Sequence, residues 1–304
     1  MALLHAHGEG ELWVRILDEI FLHGLLDTLK LVPFLFLTYL LMEFIEHKAS
    51  DKAERFMKKA GPFGPLVGGA LGAVPQCGFS AAASNLYAGR VISLGTLVAV
   101  FLSTSDEMLP ILISGSVPIS GVLLILLYKA VVGVVIGLLI DLVLRFMRKD
   151  REDINIDEIC DNDNCHCEWG IFYSAFHHTL TISLFVLIVT LAINALVLFV
   201  GEENLGNVMY DKPIISHLIA AIFGLIPNCA ASVVLTTLCT EGLITSGTMM
   251  SGLFSGAGVG LLVLFRVNKH IKQNLSVLGI LVTVGIIFGL LGDVIFPQSL
   301  FIAA

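Results

Sequence analysis

Two cysteines, Cys77 and Cys229, occupy equivalent places in two similar apolar stretches. Each follows a proline and a carboxamide residue, which is Gln76 in the first stretch and Asn228 in the second. A proline ends a helix, and a helix that starts just after it presents its positive dipole end, which favours the thiolate form of a cysteine. Paired thiolates beside carboxamide oxygens suit a soft, thiophilic metal or metalloid ion. A cysteine can instead be a small buried hydrophobic residue, but for this aligned pair we favour ion binding.

A run of polar residues interrupts another apolar stretch. Residues 103–107 read Ser-Thr-Ser-Asp-Glu, whereas the equivalent residues 255–259 include no carboxylate. Carboxylates inside a membrane are costly and usually face a bundle interior or an ion path, so we expect Asp106 and Glu107 to be cation ligands or proton carriers. They could instead form a structural ion pair with Lys129, which could also neutralise an anionic substrate. The candidate ion-binding residues are together Gln76, Cys77, Ser80, Ser103, Ser105, Asp106, Glu107, Lys129, Asn228, Cys229 and Ser232.

A second group of soft ligands lies in a charged loop. Cys160, Cys165, His166 and Cys167 are close enough in the sequence to bind one thiophilic ion, although their spacing is not that of a standard structural zinc site. Metal capture and an incidental solvated linker are both open interpretations. Eight acidic residues and one arginine lie within 150–168, so this loop carries much of the net charge of −8.

The composition is that of a membrane protein. Of the 304 residues, 56% are hydrophobic and 14% are charged, against about 25% charged in soluble domains. The mean hydropathy of +0.91 excludes a conventional soluble enzyme, and the length accommodates about ten membrane segments. No basic patch indicates nucleic-acid binding, and no phosphate-binding loop indicates direct use of ATP. We expect a polytopic all-α membrane protein with no cofactor and no cleaved signal peptide.

The sequence contains an internal repeat with an offset of 152 residues. Eight of the 25 positions from 72 to 96 are identical to those from 224 to 248, including the Pro-x-Cys motif. The same offset relates 133–141 to 285–293, so that Asp141 aligns with Asp293. Coincidence between apolar helices would not keep proline, cysteine, glycine and aspartate in one register. The sequence therefore predicts a duplication.

The basic residues predict that the two copies have opposite orientations. The loop 47–60 carries five Lys or Arg residues, whereas its counterpart 201–212 carries one. The bias reverses later, because 114–120 has no charge and its counterpart contains Arg266, Lys269 and Lys272. Since Lys and Arg favour the cytoplasmic side, we expect inverted repeats of about five helical segments each. Such repeats are typical of secondary transporters, whose broken or re-entrant helices meet near the membrane midplane.

This order of membrane segments predicts four regions of the chain. We expect an extracytoplasmic interfacial segment at 1–23, a first membrane repeat at 24–149, an acidic cytoplasmic linker at 150–169 and an inverted second repeat at 170–304. Asp141 and Asp293 lie near span ends, where their alignment indicates shared helix packing or a gate. His217 lies near a membrane entry, where we expect an interfacial side chain.

The stretch 75–110 resembles a known family. Its motifs Pro-Gln-Cys-Gly-Phe-Ser-Ala, Tyr-Ala-Gly-Arg-Val-Ile-Ser-Leu-Gly-Thr and Phe-Leu-Ser-Thr-Ser-Asp-Glu-Met-Leu-Pro resemble the ten-helix heavy-metal exporters, which include arsenic efflux proteins and manganese transporters. They are distantly similar to organoarsenical efflux permeases. The resemblance implies export of a metal or metalloid across the bacterial plasma membrane. It points to Gln76, Cys77, Ser105, Asp106 and Glu107, with Asn228 and Cys229 supplied by the repeat.

Several functions remain compatible with these residues. Thiols favour trivalent arsenic, whereas carboxylates and hydroxyls favour a harder ion such as Mn²⁺. Helix N-termini together with Lys129 would suit an oxyanion or a small organic anion, and a metal channel is a further class. We do not expect an enzyme, because neither Cys77 nor Cys229 has a neighbouring histidine that could act as a base. The expected partners are the lipid bilayer and the ion, with protons as a candidate coupling ion, no nucleic acid, and homo-oligomers left open.

Overall fold

A computed structural model describes residues 63–73, 77–104, 108–114, 117–146, 171–200, 213–227 and 229–296, with scattered helical positions between 25 and 40. Within these residues every regular element is a helix, which confirms the all-helical prediction. In chain order the helices are α1 (Gly64–Gly72), α2 (Cys77–Ala88), α3 (Leu94–Ser103), α4 (Met108–Ser114), α5 (Ile119–Phe146), α6 (Ile171–Val200), α7 (Pro213–Gly224), α8 (Cys229–Thr240), α9 (Ser246–Ser255), α10 (Val259–Val267) and α11 (Ile271–Ile295).

Several predicted features lie outside the described residues. They are the segment 1–23, the linker 150–169 with Cys160, Cys165, His166 and Cys167, and the candidate ligands Gln76, Ser105, Asp106, Glu107 and Asn228. For Cys77 and Cys229, the backbone is described and the side chain is not.

Three segments of the described chain are long and apolar enough to cross a membrane: Ile119–Phe146, Ser246–Val267 and Ile271–Ile295. Their surroundings differ. About a third or less of the first and last is buried, whereas 78% of Ser246–Val267 is buried inside the protein. Most of the exposed residues of α5 and α11 are leucines, isoleucines and valines, as expected for helices that face lipid. The α9–α10 segment therefore forms the centre of the fold.

The helices of the two copies have matching bounds. α8 lies 152 residues after α2 at both ends, and α9 lies 152 residues after α3 at both ends. The first turns of α3 and α9 are capped in the same way. The Ser93 side chain accepts a hydrogen bond from the Thr96 amide, and the Thr245 side chain accepts one from the Thr248 amide. The same short motifs therefore start the same helices, because a hydroxyl at the N-cap satisfies an otherwise unpaired amide.

Glycines allow close packing within each copy. A Cβ added to Gly95 would collide with the carbonyl oxygen of Gly137, and one added to Gly247 would collide with that of Gly289. These contacts join α3 to α5 and α9 to α11, which are the most extensive helix pairs in the described chain. Small residues at such interfaces let helix backbones approach closely.

The two copies exchange helices across their interface. α2 packs against α10 of the second copy, and α8 packs against α4 of the first. The Ser84 hydroxyl contacts the carbonyl oxygen of Gly260 at 2.7 Å, and a Cβ on Gly260 would lie 2.8 Å from the Ser80 Cβ. Each short helix that follows a Pro-x-Cys motif is therefore covered by a helix of the other copy.

Contacts along α11 show where the starts of α3 and α9 lie relative to its two ends. Arg90, just before α3, donates to Gln273 at 3.1 Å, whereas the Gly247 amide at the start of α9 donates to Asp293 at 2.7 Å. Gln273 and Asp293 are 20 residues apart, which corresponds to about 30 Å of helix. The starts of α3 and α9 therefore lie near opposite ends of α11.

Contacts of α5 give its direction relative to α11. Asp141 accepts a hydrogen bond from the Gly95 amide at 3.0 Å, near the start of α3, and the Tyr128 hydroxyl donates to the Phe288 carbonyl at 2.7 Å. Tyr128 therefore lies beside the last turns of α11, and Asp141, which is later in α5, lies towards the first turns of α11. The two helices run antiparallel.

Candidate functional site

The two Pro-x-Cys motifs lie at helix starts. α2 begins at Cys77 and α8 begins at Cys229, so each cysteine lies where the first backbone amides have no partner within the helix. Ser80 is fully buried, and Ser232 is half-buried in the equivalent turn. Ser80 faces Gly260 of the other copy, so the first turn of α2 belongs to the interface between copies.

A backbone break in the second copy lies beside the start of α2. α9 ends at Ser255 and α10 begins at Val259, and Gly258 between them has φ 53°, a left-handed conformation that side chains disfavour. The sequence reading placed a polar break only in the first copy. Because Gly260, the second residue of α10, contacts Ser80 near the start of α2, the positive ends of two helices lie together.

The first copy supplies the corresponding break. α3 ends at Ser103 and α4 begins at Met108. The Ser103 hydroxyl donates to the Ala99 carbonyl at 2.6 Å, which holds this side chain against its own helix. α4, which follows Asp106 and Glu107 in the chain, packs against α8, which starts at Cys229. The helix that follows the polar run of the first copy therefore packs on the helix that follows the Pro-x-Cys motif of the second.

Lys129 is buried at this interface. Its side chain is 1% exposed, and its ammonium donates to the Leu253 carbonyl at 2.9 Å and lies 5.8 Å from the centre of the Phe254 ring. Leu253 is in the last turn of α9, where carbonyls lack helical partners and the helix dipole is negative. Lys129 thus links α5 of one copy to the broken helix of the other. An ion pair between Lys129 and Asp106 or Glu107 involves undescribed residues and stays a prediction.

Two aspartates hold the starts of α3 and α9. Asp141 accepts hydrogen bonds from the Gly95 amide and from the Ser93 hydroxyl, the latter at 2.6 Å. Asp293 accepts one from the Gly247 amide and contacts His217 Nε2 at 3.1 Å. The predicted shared packing role thus has a direct cause, because each carboxylate satisfies an unpaired amide at a helix start.

His217 differs from the sequence prediction. Its side chain is 1% exposed and contacts Asp293, so it is enclosed by the protein, which the sequence does not predict. Alignment of the copies could not find it, since the equivalent residue is Pro65. The interaction of Arg90 with Gln273 was missed for the same reason.

Within the described residues, no group of three or more His, Cys, Asp or Glu side chains is placed to hold a metal ion. Gln76, Asn228 and the carboxylates Asp106 and Glu107 lie next to described helices in the chain and are not themselves described. The ligand set therefore remains a prediction.

Comparison with known families gives a match over residues 17–197, more than half of the chain, to the family described as "Putative, 10TM heavy-metal exporter". The matched region contains the first Pro-x-Cys motif and the polar run at 103–107. No curated protein and no solved structure matches the chain.

Proposed function

The chain belongs to the 10TM heavy-metal exporter family, and we propose that it is a secondary active transporter that exports a metal or metalloid ion by alternating access between two inverted halves. The exchange of helices between the copies carries this proposal. Each Pro-x-Cys helix packs on the other copy at a backbone break, as α2 does on α10 and α8 on α4. Secondary transporters bind substrate at such interfaces between repeats.

The inverted arrangement is supported by helix directions. α5 and α11 are equivalent in the repeat and run antiparallel, and the starts of α3 and α9 lie near opposite ends of α11. The lysine and arginine bias of the loops agrees with this arrangement. A rocking motion of one half against the other would then expose the same interface alternately to each side of the membrane.

The proposed ion site combines soft and hard ligands. Cys77 and Cys229, with Gln76 and Asn228, would bind the ion as thiolates and carboxamide oxygens, and the hydroxyls of the nearby serines would complete its shell. Asp106 or Glu107 would coordinate the cation or carry a proton. Support comes from the packing of α8 on α4, the helix that follows these carboxylates. The plasma membrane of bacteria is the expected location, with Cys160, Cys165, His166 and Cys167 as a proposed cytoplasmic capture site.

Transport of an oxyanion or a small organic anion is the second candidate. It is favoured by the neighbouring starts of α2 and α10 and by the buried ammonium of Lys129, because helix starts and cations bind anions. It is weakened by the contact of Lys129 with the Leu253 carbonyl, which engages this charge within the protein.

Transport by purified protein in vesicles tests the proposal. Wild type should move arsenite or Mn²⁺, and Cys77→Ser with Cys229→Ser should reduce transport of the soft ion by about 10- to 100-fold, as is typical when metal coordination is impaired. Asp106→Asn with Glu107→Gln should reduce transport of a harder cation. Cys239→Ser is the matched control, because Cys239 is a buried free thiol in α8 away from the helix start.

The alternative outcomes separate the candidates. Transport of oxyanions by wild type, lost in Lys129→Met and kept in the cysteine variants, would favour the anion transporter. Downhill flux without accumulation under any gradient would indicate a channel. Unchanged transport in both ligand variants would contradict the proposed site.

A further inference from the structure

The two capping aspartates have different neighbours. Asp141 in α5 is bonded by the Gly95 amide and the Ser93 hydroxyl. Asp293 in α11 is bonded by the equivalent Gly247 amide and Thr245 hydroxyl, and in addition contacts the imidazole of His217 in α7 at 3.1 Å. The cap of the second copy therefore includes a buried histidine, which helix capping alone does not require.

The pair is enclosed on one side and open on the other. His217 is 1% exposed, whereas the Asp293 side chain is 30% exposed. Among the described residues of the helices that pack on the pair, the further titratable group is the thiol of Cys239 in α8, which interacts electrostatically with Asp293; α9 has no titratable residue. The carboxylate is therefore the member of the pair at the surface of the protein, and the imidazole is the member sealed within it.

Imidazole is the side chain whose protonation ordinarily changes near physiological pH. With a proton, the His217–Asp293 pair is neutral overall. Without it, the pair is a carboxylate facing the positive start of α9. Because the pair joins α7, α9 and α11, the proton changes the forces among the helices of the second copy. Ionisable residues buried at such places in membrane proteins often form proton pathways.

The location of the pair along α11 gives its side of the membrane. At the opposite end of α11, Gln273 accepts a hydrogen bond from Arg90. The exposed Arg266, Lys269 and Lys272 lie in or just before the first turn of α11. Basic residues favour the cytoplasm, so the His217–Asp293 pair lies at the extracytoplasmic end. The first copy has Asp141 at the cytoplasmic end, and Pro65 occupies the position equivalent to His217.

We propose that His217 and Asp293 form a proton-binding site that loads from the extracytoplasmic side and couples inward movement of a proton to export of the ion. No bond other than that to the proton forms or breaks: the proton is taken from the outer solvent, held between the carboxylate and the imidazole, and released to the cytoplasm. This inference rests on the proposed transport function and adds its driving ion.

The test uses full-length protein in vesicles with the membrane potential clamped at zero. If one proton is exchanged per ion, a gradient of one pH unit should support about tenfold accumulation of whichever of Mn²⁺ or arsenite wild type moves. His217→Gln and Asp293→Asn should let the ion equilibrate without accumulation. Asp141→Asn is the matched control, because it alters the equivalent cap of the first copy and should still accumulate the ion. Accumulation by His217→Gln equal to that of wild type would overturn the proposal.

A direct measurement of proton binding separates this inference from the transport function. In protein labelled with ¹⁵N-histidine, the resonance that is absent from His217→Gln should change as the proton binds, and Asp293→Asn should alter this change. If wild type moved neither ion, the transport function would fail while this titration still tested the site. Absence of a titrating His217 signal would overturn the site even if transport were found.

Discussion

At the scale of single residues, the buried charge of Lys129 joins the two copies. Its ammonium donates to the Leu253 carbonyl, which lies in the last turn of a helix that ends inside the protein. A buried carbonyl without a partner is costly, so the lysine has a structural role besides any contact with the substrate. Arg90 also joins the two copies, because its side chain donates to Gln273 of the second copy. Its backbone adopts φ 59°, and the equivalent residue of the second copy, Gly242, adopts φ 77°.

Replacement of Lys129 should therefore reduce stability. Lys129→Met keeps the length of the side chain but leaves the Leu253 carbonyl unpaired, which should lower the free energy of unfolding by about 1–3 kcal/mol. Thermal unfolding of the purified protein measures this change. Lys269→Met, at an exposed position, should leave the midpoint nearly unchanged, and equal effects of the two substitutions would argue against the contact.

Sequence comparison finds repeated residues and overlooks unique ones. Asp141 and Asp293 were identified because they align, and their capping contacts follow from that alignment. His217 and Gln273 have no equivalents in the first copy, where Pro65 and Gly121 occupy these positions. Their contacts arise from tertiary packing between distant parts of the chain, which no local pattern encodes.

At the scale of helices, glycines set the distances between neighbours. Gly95 and Gly247 lie against the carbonyls of Gly137 and Gly289, so α3 and α9 pack close to α5 and α11. The starts of these helices share an N-cap hydroxyl and a following glycine, which recur in both copies. The repeated motifs did not predict that α2 would pack on α10, because that contact depends on how two apolar surfaces match.

Added methyl groups should test this packing. Gly247→Ala would collide with the Gly289 carbonyl, and we expect a loss of about 1–3 kcal/mol, as is common for overpacking. Gly279→Ala meets nothing within 4 Å and should instead stabilise α11 by about 0.5–1 kcal/mol, since alanine favours helix more than glycine does. Chemical or thermal unfolding of the two variants should therefore shift in opposite directions; equal shifts would refute the close approach.

At the scale of the whole molecule, two copies of one fold surround a buried centre. The loop before α3 contacts the first turn of α11 through Arg90 and Gln273. The start of α9 lies near the other end of α11, at Asp293. Inverted copies would place the loops before α3 and before α9 on opposite sides of the membrane. The loop charges predict such an inversion, because lysine and arginine favour the cytoplasmic side of the membrane.

Labelling from outside the cell tests the orientation. A cysteine at the exposed Glu241, in the loop before α9, should react in intact cells with a maleimide that cannot cross the membrane. A cysteine at the exposed Lys269, in the loop before α11, should react only after the membrane is opened. These variants are best made in a background without Cys160, Cys165 and Cys167. Labelling of both positions from one side would contradict inversion.

The enclosed location of Ser246–Val267 bears on how the chain is assembled during synthesis. This segment is 78% buried, and its serines bond within the protein, as Ser246 does with the Phe296 carbonyl. The helix with which it makes its most extensive packing contact, α11, is translated after it. The segment therefore leaves the ribosome before its main packing surface exists, so the last helix has to arrive before the middle of the bundle can close.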